Sequence, residues 1–351
     1  MEKKEIKIGN KTIGDGHPTF IIAELSANHN QDYDIAVKTI KAMAEAGADA
    51  VKLQTYTADT ITIDCDNKYF QIKQGTIWDG TTLHKLYQTA FTPWDWQPKL
   101  KKYAEELGLI FFSSPFDKTA VDFLEKMNVP AYKVASFELT DTPLVEYMAQ
   151  KNKPMIMSTG ISKIGEIEEA INACKNKGNN QIIILKCTSA YPAPFEEANL
   201  KTIQNIKETF GVIAGLSDHT LGISAPIAAV ALGANVVEKH FILDRKMGGH
   251  DSTFSVEPSE FKEMVKYIRE VEKAIGKVNY DLTEKMKASR EFSRSLFITE
   301  DIKKGEEFTE KNVRSIRPAF GLKTKHLEEI IGKKAKDDFK KGTPLRWDLI
   351  E

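Results

Sequence analysis

The chain carries almost no net charge: 49 Lys and Arg stand against 50 Asp and Glu over 351 residues. Such a balance lacks the basic field by which proteins hold nucleic acid or anionic membranes. A long apolar run is also missing. The longest, Ala225 to Val237, contains Pro226 and Gly233 and falls short of the roughly 20 residues that span a bilayer. The opening MEKKEIKIGNK has no apolar core of a secretion signal. The three cysteines, Cys65, Cys174 and Cys187, form no CxxC pair, which argues against a disulfide framework or a cysteine zinc site. No GxGxxG fingerprint is present either. These absences leave a reduced, cytoplasmic enzyme or binding protein as the expectation.

What is present is alternation. Short runs rich in Ile, Val and Phe predict strands at 20–25, 50–55, 110–114, 131–136, 154–159, 182–188, 212–218 and 235–241. Segments of helical period lie between them, such as DIAVKTIKAMAEAG closed by Gly47 and GEIEEAINACKNKG closed by Gly178. Eight strand-then-helix units over roughly 250 residues is the measure of a (β/α)8 TIM barrel, with an open doubly wound sheet as the alternative. The barrel domain is expected over 1–280, a polar linker over 281–294, and a small β-rich domain over 295–351. That last segment holds two echoes, DIKKG at 301–305 and DFKKG at 338–342, each suited to a tight turn. The stretch from Tyr56 to about Pro93 is long for a connection. It carries Tyr69, Phe70, Trp78, His84 and Tyr87, and is expected on the substrate side.

Barrel enzymes collect their chemistry at the C-terminal strand ends. Those ends hold Glu24; Lys52 and Gln54; Ser113 and Ser114; Lys133, Ser136 and Glu138; Ser158; Lys186 and Ser189; Ser217 and His219; and Glu238, Lys239 and His240. Two readings follow. His219 and His240 end neighbouring strands and suit one divalent cation with positions open for water and substrate, or else imidazoles that merely hydrogen-bond. Lys52, Lys133, Ser136, Ser158, Ser189 and Ser217 suit a phosphate or carboxylate anion, or else close strand ends. Lys186 is placed where a barrel aldolase would carry a Schiff-base lysine, a rival chemistry.

Several motifs in order carry a resemblance. Ala23-Glu24 with Asn28-His29-Asn30, Val51-Lys52-Leu53-Gln54, Tyr132 to Ser136 with Glu138, Ser158-Thr159-Gly160, Tyr191-Pro192, Gly215 to Thr220 and Glu238 to Phe241 resemble the sialic acid synthase family. The tail resembles that family's antifreeze-like (SAF) domain, and the run Glu24 to Asn30 is most similar to its pseudaminic acid synthase branch. The resemblance implies condensation of phosphoenolpyruvate (PEP) with an open-chain acetamido sugar, releasing phosphate. It implies one divalent metal, Mn²⁺ or Mg²⁺, on His219 and His240. PEP is expected on Lys52, Ser114, Lys133, Ser136, Ser158, Ser189 and Ser217. Glu138, Glu24 and Asp251 are the expected catalytic carboxylates, and Gln54, Tyr191 and Arg317 the sugar contacts. Arg317 is expected to act from a domain-swapped homodimer. Ser189, His250 and Ala319 depart from the family pattern. A non-catalytic sugar- or ice-binding protein is the third class, although the tail shows no regular threonine array.

Overall fold

Eight of the strands close on themselves. In the computed structural model, which describes residues 4–73 and 75–351, a first hairpin pairs β1 (Glu5–Ile8) with β2 (Lys11–Gly14). The barrel follows: β3 (Phe20–Glu24), β4 (Ala50–Thr55), β5 (Ile110–Pro115), β6 (Tyr132–Val134), β7 (Met155–Ser158), β8 (Ile182–Cys187), β9 (Ile213–Asp218) and β10 (Val236–His240). Each is parallel to its neighbour, and β10 returns to pair with β3. The TIM barrel expected from the alternation is therefore what forms, and the open sheet is excluded. Strands covered by helices outside and by one another's side chains inside have no solvated face. That is why they read as near-continuous apolar runs. The N-terminal hairpin has no counterpart among the expected strands; its signal was the Gly9-Asn10 turn between Ile8 and Lys11, with Ile8 and Ile13 fully buried.

The helices follow the same logic. Tyr33–Glu45 starts on Asp32, whose carboxylate accepts the N–H groups of Asp34 and Ile35, and it buries Ala36, Ile40 and Met43 along one stripe.

The chain divides into two compact units, 1–276 and 277–351. The second pairs β11 (Ser295–Ile298) with β12 (Val313–Ile316) in antiparallel fashion around Leu296, Ile298, Phe308, Val313, Ile330 and Leu345. Its two echoes turn out to be reciprocal. Ile302 bridges Phe339. The Lys303 ammonium meets Asp338 at 2.8 Å, and Lys340 meets Asp301 at 2.6 Å. Each aspartate also accepts a backbone N–H from the other repeat, Lys304 to Asp338 and Lys341 to Asp301. The repeat thus forms a two-fold-like clasp. The 281–294 stretch contains a short helix, Glu284–Ser289.

Candidate active site

Pairing in a parallel sheet puts side chains at matched positions on the same face. Register sets Glu24 beside Lys52, Gln54 beside Ser114, Ser217 beside Glu238, and His240 beside Glu24. All of these except Gln54 are buried. The charges of β10 alternate accordingly. Glu238 and His240 face inward, while Lys239 points the other way, paired to Asp218 and donating to the Thr220 carbonyl at 2.7 Å. No ionisable group of this strand is stranded in an apolar core.

The inward set forms a buried charge cluster. Lys52 Nζ is paired to the Glu24 carboxylate and lies 3.4 Å from Glu238 Oε1 and 3.5 Å from Ser114 Oγ. Lys133 Nζ lies 4.0 Å from the same Glu238 oxygen, to which Ser217 Oγ donates at 3.4 Å. Burial pushes the Glu24 carboxyl up to about 7 against the pull of Lys52. Glu238 moves the other way, because Lys133 and Lys52 overcome the burial that would raise it. Lys133 is lowered by burial, only partly offset by Glu238. Two ammonium groups, one firm carboxylate and one half-neutral carboxyl leave this end of the barrel receptive to an anion.

A second group lies where the loops after β6, β7 and β8 converge. A Cβ on Gly160 would stand 2.0 Å from Ser189 Oγ and 2.7 Å from Ser136 Oγ, so any side chain there must displace those hydroxyls. The Gly160 N–H donates to Ser136 Oγ at 3.2 Å, and Ser136 in turn lies 3.4 Å from the Cys187 sulfur. Ser158 is buried and its hydroxyl has no partner. A backbone N–H, small hydroxyls and an unsatisfied donor in one cradle are what a phosphate needs.

The imidazoles form a third group. The His219 and His240 rings are 5.2 Å apart between centroids, with Tyr191 4.6 Å from His219 and Phe254 4.9 Å from His240. His219 Nδ1 is 3.0 Å from the Thr188 carbonyl, a contact that makes it the N–H and leaves Nε2 as the open nitrogen. His240 Nδ1 is buried without a partner. Burial holds His240 well below the usual imidazole range, so it is a neutral lone-pair donor. The Asp251 carboxylate lies 3.9 Å from His240 Nδ1. Among the described residues no three His, Cys, Asp or Glu side chains group tightly enough to hold an ion by themselves. Two imidazoles with one orphaned nitrogen still fit a cation whose other ligands are water and substrate.

Asp251 and Gln54 meet on Ser26: the Ser26 hydroxyl donates to Asp251, and Gln54 Nε2 donates to Ser26 Oγ at 3.0 Å. Glu138 is pushed up to about 7 by burial although Lys133 draws it down, and its Oε2 is buried without a partner. Over the mouth, Trp78 of the long loop donates to the His250 carbonyl at 3.0 Å and packs 5.4 Å from Tyr191.

Lys186 does not join. Lys186 sits out of phase with the inward Cys187 and donates to the Cys187 carbonyl at 2.6 Å and to Thr188 Oγ1 at 3.0 Å. A lysine so engaged on the outer face is not set up as a Schiff-base nucleophile. Arg317 is an exposed residue of the second unit. The strand-end reading assigned no role to Glu238, Ser26, Cys187 or Phe254. Glu238 had a signal, a carboxylate in a strand two residues from His240; Phe254 had none.

A model of the NeuB family matches residues 39–280, and one of the SAF domain matches 293–351. The chain is 48% identical to the pseudaminic acid synthase of Campylobacter jejuni over 93% of this chain and 95% of that one. It is 46% identical to the pseudaminic acid synthase of Helicobacter pylori over 95% and 98%. Among solved structures, an N-acetylneuraminic acid synthetase from Leptospira borgpetersenii, in complex with citrate, matches with a TM-score of 0.73. It is 31% identical, over 82% of this chain and 95% of that one.

Proposed function

The chain belongs to the NeuB family, and from that premise we propose that it makes pseudaminate, condensing PEP and water with 2,4-diacetamido-2,4,6-trideoxy-L-altrose and releasing phosphate. The observation that carries this reading is near-full-length likeness to two pseudaminic acid synthases. The chemistry of the barrel mouth agrees with it.

Lys52 and Lys133 neutralise PEP, sharing their charge between the substrate and Glu238. Ser136, Ser158, Ser189 and the Gly160 N–H hold the phosphate, Ser114 orients Lys52, and Ser217 lines the PEP site beside Glu238, to which it donates. Gln54, Tyr191 and Asp251 hold the sugar, whose aldehyde carbon faces C3 of PEP. Glu24, part-protonated near neutrality, donates a hydrogen bond to a sugar oxygen. His219 and His240 would hold Mn²⁺ or Mg²⁺, which when bound polarises the aldehyde carbonyl. The C2–C3 π pair of PEP then forms the bond to that carbon, and the carbonyl π pair moves to the aldehyde oxygen, which takes up a proton to become a hydroxyl. Positive charge develops at C2. Water adds to C2 as Glu138 accepts its proton, which requires the ionised carboxylate. The phosphohemiketal breaks its C2–O bond to phosphate and leaves the 2-keto acid. In the same reading Arg317 of a second copy completes the sugar pocket of a domain-swapped homodimer.

Phosphate release from PEP with a panel of amino sugars tests the proposal. Turnover is expected with the altrose derivative. Turnover only with N-acetylmannosamine or the legionaminate precursor would replace it with a sister activity. Mixing inactive Arg317→Ala and His219→Ala chains restores activity if two copies share a site, and stays inactive if each chain works alone.

A further inference from the structure

Ser26 lies just beyond β3, buried, with φ of 47°. That is the left-handed region, which a residue with a Cβ enters only when something holds it there. Glycine would occupy it without strain, so the serine side chain needs a reason to be present. Three contacts supply one. The Ser26 N–H donates to Glu24 Oε1 at 3.0 Å, the hydroxyl donates to the Asp251 carboxylate, and Gln54 Nε2 donates to the hydroxyl at 3.0 Å.

The surrounding contacts fix the Asp251 loop by its backbone. Asn28 Nδ2 donates to Ser255 Oγ at 2.8 Å, and Ser255 donates to the Asp251 carbonyl at 2.7 Å. Asn30 reaches the Met247 and Gly248 carbonyls at 3.4 Å each. None of these bonds touches the carboxylate. It takes its bonds from the Ser26 hydroxyl and the Ala27 N–H. The loop would therefore keep its path without the Ser26 hydroxyl, while the Asp251 carboxylate and the Gln54 amide would lose their common anchor.

We infer that Ser26 is a positioning residue for the acceptor sugar, its hydroxyl locking Asp251 and Gln54 into one hydrogen-bonding pair. This rests on the synthase reading but not on which sugar is used. Ser26 makes none of the contacts of the phosphate cradle around Gly160 or of the Lys133 ammonium. Its N–H bond to Glu24, the partner of Lys52, is a backbone contact that both substitutions keep, so loss of the hydroxyl should fall on the acceptor side.

The test compares wild type with Ser26→Gly and Ser26→Ala, using whichever amino sugar in the panel the wild type turns over. Both variants are expected to lose about 10- to 100-fold in kcat/KM for the acceptor, the usual cost of a supporting hydrogen bond at a site. KM for PEP stays within twofold, and Ser26→Gly, freed of the left-handed strain, keeps its Tm within about 2 °C. In Ser26→Gly/Asp251→Asn the loss is clearly smaller than the product of the two single losses, because Asp251→Asn already removes one of the two contacts that Ser26 supports. Wild-type acceptor kinetics in Ser26→Gly overturns the inference. So does a parallel rise in KM for PEP, or a full extra loss on the Asp251→Asn background. The same Ser26 dependence with a different sugar upholds the inference while overturning the sugar assignment.

Discussion

Removing the Lys52 ammonium tests the buried charge cluster most sharply. Lys52 is fully buried between Glu24 and Glu238, so Lys52→Met keeps the aliphatic stem and deletes only the charge. Breaking a buried pair by removing one partner costs about 3–5 kcal/mol, because the remaining carboxylates are left uncompensated. At about 2–3 °C per kcal/mol for a unit of this size, Tm should fall by roughly 6–15 °C at pH 8. The sign with pH follows from the carboxyls. The folded-state value of Glu24 is already raised from 4.5 to about 7, so its contribution to stability is present below 4.5 and fades as pH climbs through 7. Without Lys52 the Glu24 carboxyl shifts further up, and Glu238 loses part of the pull that holds it down. The penalty of the variant is then largest above pH 7 and shrinks toward pH 5, where they take protons. Calorimetry or urea unfolding at pH 5 and pH 8 reads this directly, and Lys52→Met/Glu24→Gln should recover at least half of the loss at pH 8. A Tm within 2 °C of wild type at both pH values, or a penalty larger at pH 5, would refute the cluster as described.

Other outcomes follow from single features of the site. Gly160→Ala puts a methyl onto Ser189 and Ser136, so KM for PEP should rise at least about tenfold while KM for the sugar holds, read by steady-state phosphate release. With Glu138 near 7, turnover should increase with pH through about 7; Glu138→Gln should lose that limb and about 10²–10⁴ in kcat, read from the pH–rate profile. A chelator should abolish turnover and Mn²⁺ restore it; Mn²⁺ should also raise the Tm of wild type but not of His219→Ala/His240→Ala, read by thermal melts.

The barrel was legible because parallel strands, buried on both faces, leave apolar runs that helical periods separate, and eight such units admit few other closures. The strand-end rule then brought Lys52, Lys133, Ser136, Ser158, Ser217, His219 and His240 to one end of one barrel. What it could not supply was side-chain phase. Lys186 and Cys187 are adjacent in sequence, yet Cys187 faces Ser136 and His219 while Lys186 faces away. Only the register with Ser217 fixes which is which. Ser26 was hidden for another reason: its importance lies in a backbone angle and in a bond to a residue 225 positions away. The N-terminal hairpin escaped because two four-residue strands hold too few apolar positions to show a period.

Anomalous scattering from Mn²⁺ in crystals grown with PEP measures most directly whether the strand ends of one barrel hold both the cation and PEP. One peak is expected within coordination distance of both His219 and His240, and PEP density with its phosphate between Gly160, Ser136, Ser158 and Ser189. A cation bound elsewhere, or PEP lying outside the ring of strand ends, would contradict it.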